Sequence, residues 1–195
     1  MLKLLPLIFA IACGSCGPAE LETTGLDTSP VEPSDPYPWA TWETCAHNLG
    51  DNPCNFELLD QNGIQTDLYQ HHGKVILLDF SVMWCGPCNS IAPYGDQWVT
   101  AYGEDNFVWI TVLVEDTTGS TVDLADLQTW ATTYNISGPV LAGSRDMIDL
   151  TEPLEDGYPI TAWPTIVIID RTMRIDQGMN GFNGSMIQTW IESLL

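Results

Sequence analysis

The apolar positions of this chain fall into segments with two different periods. Val75–Ser81, broken only by Asp79, and Phe107–Val114 are short, nearly continuous apolar runs. Runs of this length and composition predict central strands covered on both faces. Ile166–Ile169 predicts another buried strand, Met173–Gly178 its antiparallel partner, and Pro139–Ala142 a short strand. Phe56–Asp67 reads as a hairpin with Asn62-Gly63 at the turn. Leu68–His71 is a single helical turn. Helical spacing returns in Asp123–Tyr134, through Leu124, Leu127, Trp130 and Ala131. It returns again in Met186–Leu195, through Ile187, Trp190, Ile191 and Leu194, with Ser185 as the expected cap. Cys85 to about Tyr102 is a helix bent at Pro93. Strands alternating with helices, then a hairpin and a last helix, give an α/β sandwich with a mixed central sheet.

The N-terminal part has no such periodicity. Residues 1–12 hold one positive charge, Lys3, and a short apolar run ending in small residues. That run is too short for a permanent membrane span and reads as an export signal. Residues 13–44 are rich in Pro, Thr, Ser, Glu and Asp, a composition that predicts a flexible acidic linker. The folded domain is expected over 45–195.

Charge narrows the partners. The 195 residues carry 26 acidic side chains against 5 basic ones, a formal net charge of −21. Such a surface excludes nucleic-acid binding and is repelled by anionic lipid headgroups. Glu115, Asp116, Asp123 and Asp126 lack the spacing of a calcium loop and read as a solvated face with helix N-terminal acids. Six cysteines suit an exported protein. Cys45 and Cys54 flank a short polar loop and are expected to form a structural disulfide, with a regulatory dithiol as the alternative. Cys16 has no assigned partner.

The chemistry concentrates in Trp84-Cys85-Gly86-Pro87-Cys88, directly after an expected central strand. Two cysteines at this spacing on a strand-to-helix turn form a redox pair, because helix-end N–H groups stabilise the attacking thiolate. Cys85 is the expected nucleophile, with an exposed sulfur, and Cys88 the shielded thiol that resolves the mixed disulfide. A zinc site would need a second pair. His71-His72, and Cys45/Cys54 with His47, have no usual zinc spacing, so no metal is expected. Asp79, inside an apolar strand, should have a raised pKa.

The segment Trp84-Cys-Gly-Pro-Cys-Asn-Ser-Ile-Ala-Pro93 resembles the active-site segment of thioredoxins. Asp79 falls where that family keeps a buried acid, Trp163-Pro164-Thr165 where it opens a strand with a cis-proline, and Gly181 before the last helix. The resemblance covers about residues 52–195. It is greatest to the exported, membrane-tethered TlpA-like (redoxin) thiol–disulfide oxidoreductases, which share the N-terminal hairpin and a helix-strand insertion, here about Thr117–Met147. It implies a thioredoxin-like three-layer sandwich that reduces protein disulfides without a cofactor. It further implies that Asp79 accepts the Cys88 proton and that Trp84, Gly86, Pro87, Trp163 and Pro164 contact substrate. The implied partners are exported proteins with disulfides, and a membrane thiol electron donor of the CcdA or DsbD type. Ala10-Ile11-Ala12-Cys13 resembles a bacterial lipobox, which implies lipidation of Cys13 and membrane attachment only through that lipid. Gly14 rather than Asp after it favours, for a Gram-negative source, the outer membrane facing the periplasm; a soluble periplasmic or secreted form is the alternative.

Three departures stand out: no lysine on Phe107–Val114 to pair with Asp79, Ile91 where some relatives have glutamate, and Trp163 where an aliphatic residue or threonine is usual. Two other functions remain open. A thiol peroxidase would need Pro-x-x-x-Thr-x-x-Cys before its reactive cysteine, whereas Asp79-Phe-Ser-Val-Met-Trp precedes Cys85. A non-enzymatic binding module would not need the dithiol.

Overall fold

The protein is described here by a computed structural model covering residues 35–195. The expected leader (1–12), Cys13, Cys16 and most of the expected linker lie outside the described residues. The N-terminal hairpin pairs β1 (Glu57–Leu59) with β2 (Gln65–Asp67). Its loop closes because Asp60 Oδ1 accepts from the amides of Asn62 and Ile64 while Gly63 takes φ 75°. A single 3-10 turn follows at Tyr69–His71.

The two apolar runs form β3 (Val75–Val82) and β4 (Phe107–Glu115), every residue of which is buried. They lie parallel at the heart of a sheet completed by β5 (Val140–Ala142), β6 (Thr165–Ile169) and β7 (Ile175–Asn180). The order is β5-β4-β3-β6-β7, with β5 and β4 parallel and the β3–β6 and β6–β7 pairs antiparallel. Strand alternation sends the β3 side chains to opposite faces. Ile76, Leu78, Phe80 and Val82 pack towards α3 (Leu124–Tyr134), through Leu127 and Trp130. Val75 and Leu77 pack towards α1 (Gly86–Ile91), α2 (Tyr94–Tyr102) and α4 (Gly184–Leu194), through Ile91, Trp98, Ile187 and Ile191. The expected three layers, mixed sheet, hairpin and helix-strand insertion are present.

Several boundaries differ from expectation. The helix after Cys85 is broken at Pro93, the N-cap of α2, and not merely bent. Proline supplies no amide to continue the ladder of the first helix. The cap of α4 is Asn183, whose Oδ1 accepts from the Met186 amide, and Ser185 lies inside the helix and donates to Asn183. The partner of β6 starts at Ile175, because Met173 takes φ 62° within the turn that Asp170 Oδ1 holds through the amides of Thr172 and Arg174.

The packed unit also begins at Tyr37 and not at Cys45. Tyr37 Oη donates to Asp67 at 2.5 Å, Trp42 Nε1 donates to Tyr69 Oη at 3.2 Å, and Trp39 stacks on His72 with ring centroids 3.9 Å apart. The average composition of 13–44 hides three aromatic rings at its end. They bury enough apolar surface to offset the ordering of that short segment.

Candidate active site

Cys85 stands three residues beyond β3, where its amide donates to Val82 O at 3.2 Å and turns the chain. It is the N-cap of α1 in an extended conformation, and Pro87 sits in the first turn, where its missing N–H leaves no gap. The Cys88 amide donates to Cys85 Sγ at 3.2 Å. That contact is a local dipole favouring a thiolate on Cys85. Cys85 and Cys88 are joined as a disulfide, the oxidised state of the pair. Cys88 is fully buried and Cys85 is 5% exposed, so the expectation of an open Cys85 sulfur needs correction. Bonded to Cys88, its side chain is folded back against the end of α1. Exposure lies in the rim: Trp84 is 50% exposed, and Gly86 and Pro87 are exposed beside it. A Cβ on Gly86 would meet nothing within 4 Å, so this side of the pair is open to an approaching chain.

Asp79 lies on β3 with no exposed surface, on the face covered by α1, α2 and α4. Burial pushes its pKa up to about 6. Ser81, Trp109 and Thr111 act in the opposite sense, as donors that favour the carboxylate. Ser81 Oγ donates to Asp79 Oδ1 at 2.6 Å, and Thr111 is the β4 residue paired with Asp79. These hydrogen bonds partly offset the cost of burying the charged form of Asp79. The sequence carried a signal for Ser81: two residues along a strand, it must share a face with Asp79.

Trp163-Pro164 precedes β6, and the peptide bond between them is cis. Thr165 pairs with Phe80, near the end of β3 that leads to Cys85, so the proline and the dithiol belong to the same end of the sheet. Pro164 is buried and its carbonyl accepts from Gly181 N, while Trp163 is half-buried. Thr165 Oγ1 donates within this turn, at 2.7 Å from both Ala162 O and Asn180 Oδ1. A cavity of about 380 Å³ beside the turn includes Thr161, Thr165 and Asn180 in its walls. Another of about 580 Å³ lies between the hairpin tip and α3, lined by Gln61, Gln128 and Ser137 and by none of the residues named for the dithiol site.

The acidic group divides. Asp123 caps α3 in a reciprocal pair with Asp126, and Asp116 closes its own turn through the amides of Thr118 and Ser120. Glu115 does not belong to a solvated face. It is 3% exposed, accepts from Trp84 Nε1 at 2.7 Å and forms an ion pair with Arg145. Neither Glu115 nor Arg145 was legible as part of the site, because their meeting depends on how the insertion folds back. Cys45 and Cys54 are joined as a disulfide, with Cα atoms 4.9 Å apart. Among the described residues, no group of three or more His, Cys, Asp or Glu side chains is placed to hold a metal ion. Among the same residues, no helix is long and apolar enough to cross a membrane.

Residues 49–177 match the family model described as AhpC/TSA family. The chain is 26% identical over 133 residues to the thiol-disulfide oxidoreductase ResA of Bacillus thuringiensis subsp. konkukian, covering 68% of this chain and 70% of the relative. Its fold is similar to that of the exposed lipoprotein thioredoxin Etrx1 of Streptococcus pneumoniae (TM-score 0.56, 26% identity, 72% of this chain and all of that one). It is similar also to the thioredoxin domain of a thiol-disulfide oxidoreductase from Bacteroides vulgatus (TM-score 0.60, 19% identity, 76% of this chain and 99% of that one).

Proposed function

The chain belongs to the AhpC/TSA family, and from that premise we propose that it is an exported thiol–disulfide oxidoreductase that reduces protein disulfides through Cys85 and Cys88. The observation that carries this reading is the Cys-Gly-Pro-Cys pair itself: adjacent sulfurs at a strand-to-helix turn, an amide aimed at the first, and an open rim. The likeness to the thiol-disulfide oxidoreductase ResA supports the reaction class.

In the reduced protein the Cys85 thiolate attacks one sulfur of a substrate disulfide. The substrate S–S bond breaks, one substrate thiolate leaves and takes up a proton, and a mixed disulfide remains. Cys88 gives its proton to Asp79, and the resulting thiolate attacks Cys85 Sγ and expels the second substrate thiolate. The substrate gains two electrons and the enzyme pair loses two, ending in the disulfide form. Above about pH 6 Asp79 is a carboxylate and can accept the proton. Trp84, Gly86, Pro87 and Pro164 shape the docking rim, and the Trp163 backbone offers strand-like hydrogen bonds to the substrate chain.

Reducing equivalents would come from a membrane thiol donor of the CcdA or DsbD type. Export rests on the leader-like residues 1–12 and on the Cys45–Cys54 bond, which suits an oxidising compartment. Anchoring through a lipid on Cys13 is consistent with the likeness to a pneumococcal exposed lipoprotein thioredoxin.

The test is insulin reduction by the full chain with dithiothreitol as donor. The wild type should precipitate insulin chains, Cys85→Ser should not, and Cys88→Ser should accumulate mixed disulfide. Insulin reduction unchanged by Cys85→Ser would overturn the reading. So would hydrogen peroxide consumption that exceeds disulfide reduction, which would favour a thiol peroxidase.

A further inference from the structure

Trp84 is joined directly to Cys85, and its indole is 50% exposed at the rim of the pair. An exposed indole ordinarily samples several rotamers. Here its Nε1 donates to Glu115 Oε2 at 2.7 Å, so one charge-assisted bond fixes the ring. The acceptor is unusual. Glu115 is the last residue of β4 and is 3% exposed, and a carboxylate so buried is costly unless both oxygens are engaged. Its second oxygen, Oε1, faces the guanidinium of Arg145, itself 67% exposed. Arg145 opens a 3-10 turn (Arg145–Met147) shortly after β5, within the inserted segment.

Local architecture does not require this carboxylate. The Glu115 backbone already joins the strands, its carbonyl accepting from Met83 N at 2.9 Å. The following turn closes on Asp116 alone, whose Oδ1 takes two amides and the Thr118 hydroxyl. The Glu115 side chain is left with two partners, an exposed arginine from the insertion and the indole beside the nucleophile. We propose that Glu115, held by Arg145, is a positioning residue that locks the Trp84 indole as a docking platform for protein disulfides. The insertion thereby reaches the active-site rim through one ion pair. The proposal rests on the oxidoreductase reading above, and it assigns Glu115 and Arg145 to substrate docking and not to sulfur chemistry.

The experiment compares wild type, Glu115→Ala, Glu115→Gln and Arg145→Ala as full chains. Each is assayed with insulin and with 2-hydroxyethyl disulfide, which is too small to span the platform. The indole N–H resonance of Trp84, identified by its loss in Trp84→Phe, is followed by ¹⁵N NMR. Glu115→Ala should raise KM for insulin about tenfold, with kcat within about twofold, since misplacing a docking group weakens binding before it slows chemistry. Its fall in kcat/KM should be at least about fivefold greater for insulin than for the small disulfide, and the Trp84 resonance should move. Glu115→Gln, which keeps an oxygen acceptor, should recover most of both. Arg145→Ala alters an exposed side chain and carries the test should Glu115→Ala not fold. It should raise KM for insulin about threefold and shift the same resonance. Insulin KM within twofold of wild type in folded Glu115→Ala or Arg145→Ala overturns the proposal. Equal losses with both substrates, in step with melting temperature, overturn it too. A wild type that reduces neither substrate marks the failure of the oxidoreductase reading instead.

Discussion

At the scale of single residues, Asp79 is where folding and chemistry pull apart. Burial holds its pKa at about 6, against 3.8 for an unperturbed side chain. The folded chain therefore keeps the Asp79 proton more firmly than the unfolded chain does. Stability should fall as pH rises from about 4 to about 6 and level off above, a loss of about 3 kcal/mol for this group. Asp79→Asn removes that slope. In urea denaturation of the oxidised protein it should be more stable than wild type by up to about 3 kcal/mol at pH 7, with most of the difference gone at pH 4. A gain that persists at pH 4 would mean that the carboxylate is not the cause. The same substitution should slow resolution of the mixed disulfide by about 100-fold and remove the rise in rate through pH 6. Ser81 adds a finer test. Its 2.6 Å bond favours the charged carboxylate, so Ser81→Ala should move the wild-type pH midpoint upward. The acid and the dithiol could be read from the sequence because each breaks a local pattern. Ser81 was legible only as a residue on the Asp79 face of the strand, and Glu115 not at all, since a glutamate among other acids acquires meaning only from the atoms it faces.

At the scale of elements, the apolar runs of β3 and β4, the helical spacing of α3 and the Asn62-Gly63 turn specified their own structures. Their signals are local, and the sheet buries each of them as its period demands. Ends were less legible. A cap depends on which of several polar side chains reaches a free amide, and Asn183 reaches it where Ser185 does not. Asn183→Ala should cost about 1 kcal/mol, seen as a lower midpoint of thermal or urea unfolding, with insulin reduction retained. The aromatic segment before Cys45 was the largest miss, since Tyr37, Trp39 and Trp42 find their partners on Tyr69, Asp67 and His72, far along the chain. Trp39→Ala should lower stability by about 2 kcal/mol. A chain cut at residue 45 should be destabilised further, whereas an unchanged melting curve would return this segment to the linker. The Cys45–Cys54 bond closes a loop with a sequence separation of 9. Replacing both cysteines by serine should cost about 2–3 kcal/mol while dithiol exchange continues. Loss of exchange without loss of stability would instead favour a regulatory dithiol.

At the scale of the whole molecule, composition and fold are nearly independent. A formal charge of −21 on 195 residues says nothing of the sheet order, but it bears on stability through self-repulsion. Among the described residues the three arginines are engaged within the fold: Arg171 and Arg174 donate to the carbonyls of Leu195 and Gly50, and Arg145 pairs with Glu115. Raising ionic strength from about 0.01 M to about 0.15 M shortens the screening length from about 30 Å to about 8 Å and should raise the melting temperature by a few degrees. The fold places the Cys-Gly-Pro-Cys turn, the Trp163–Pro164 turn and Asp79 about one sheet, an arrangement we propose to donate electrons. The reduction potential of the Cys85–Cys88 pair, taken on the full chain in dithiothreitol and glutathione buffers with Cys85→Ser as control, decides the direction of electron flow. A value near thioredoxin's, about −270 mV, is predicted. A value near that of the strong oxidants, about −120 mV, would contradict it and make the protein a disulfide donor.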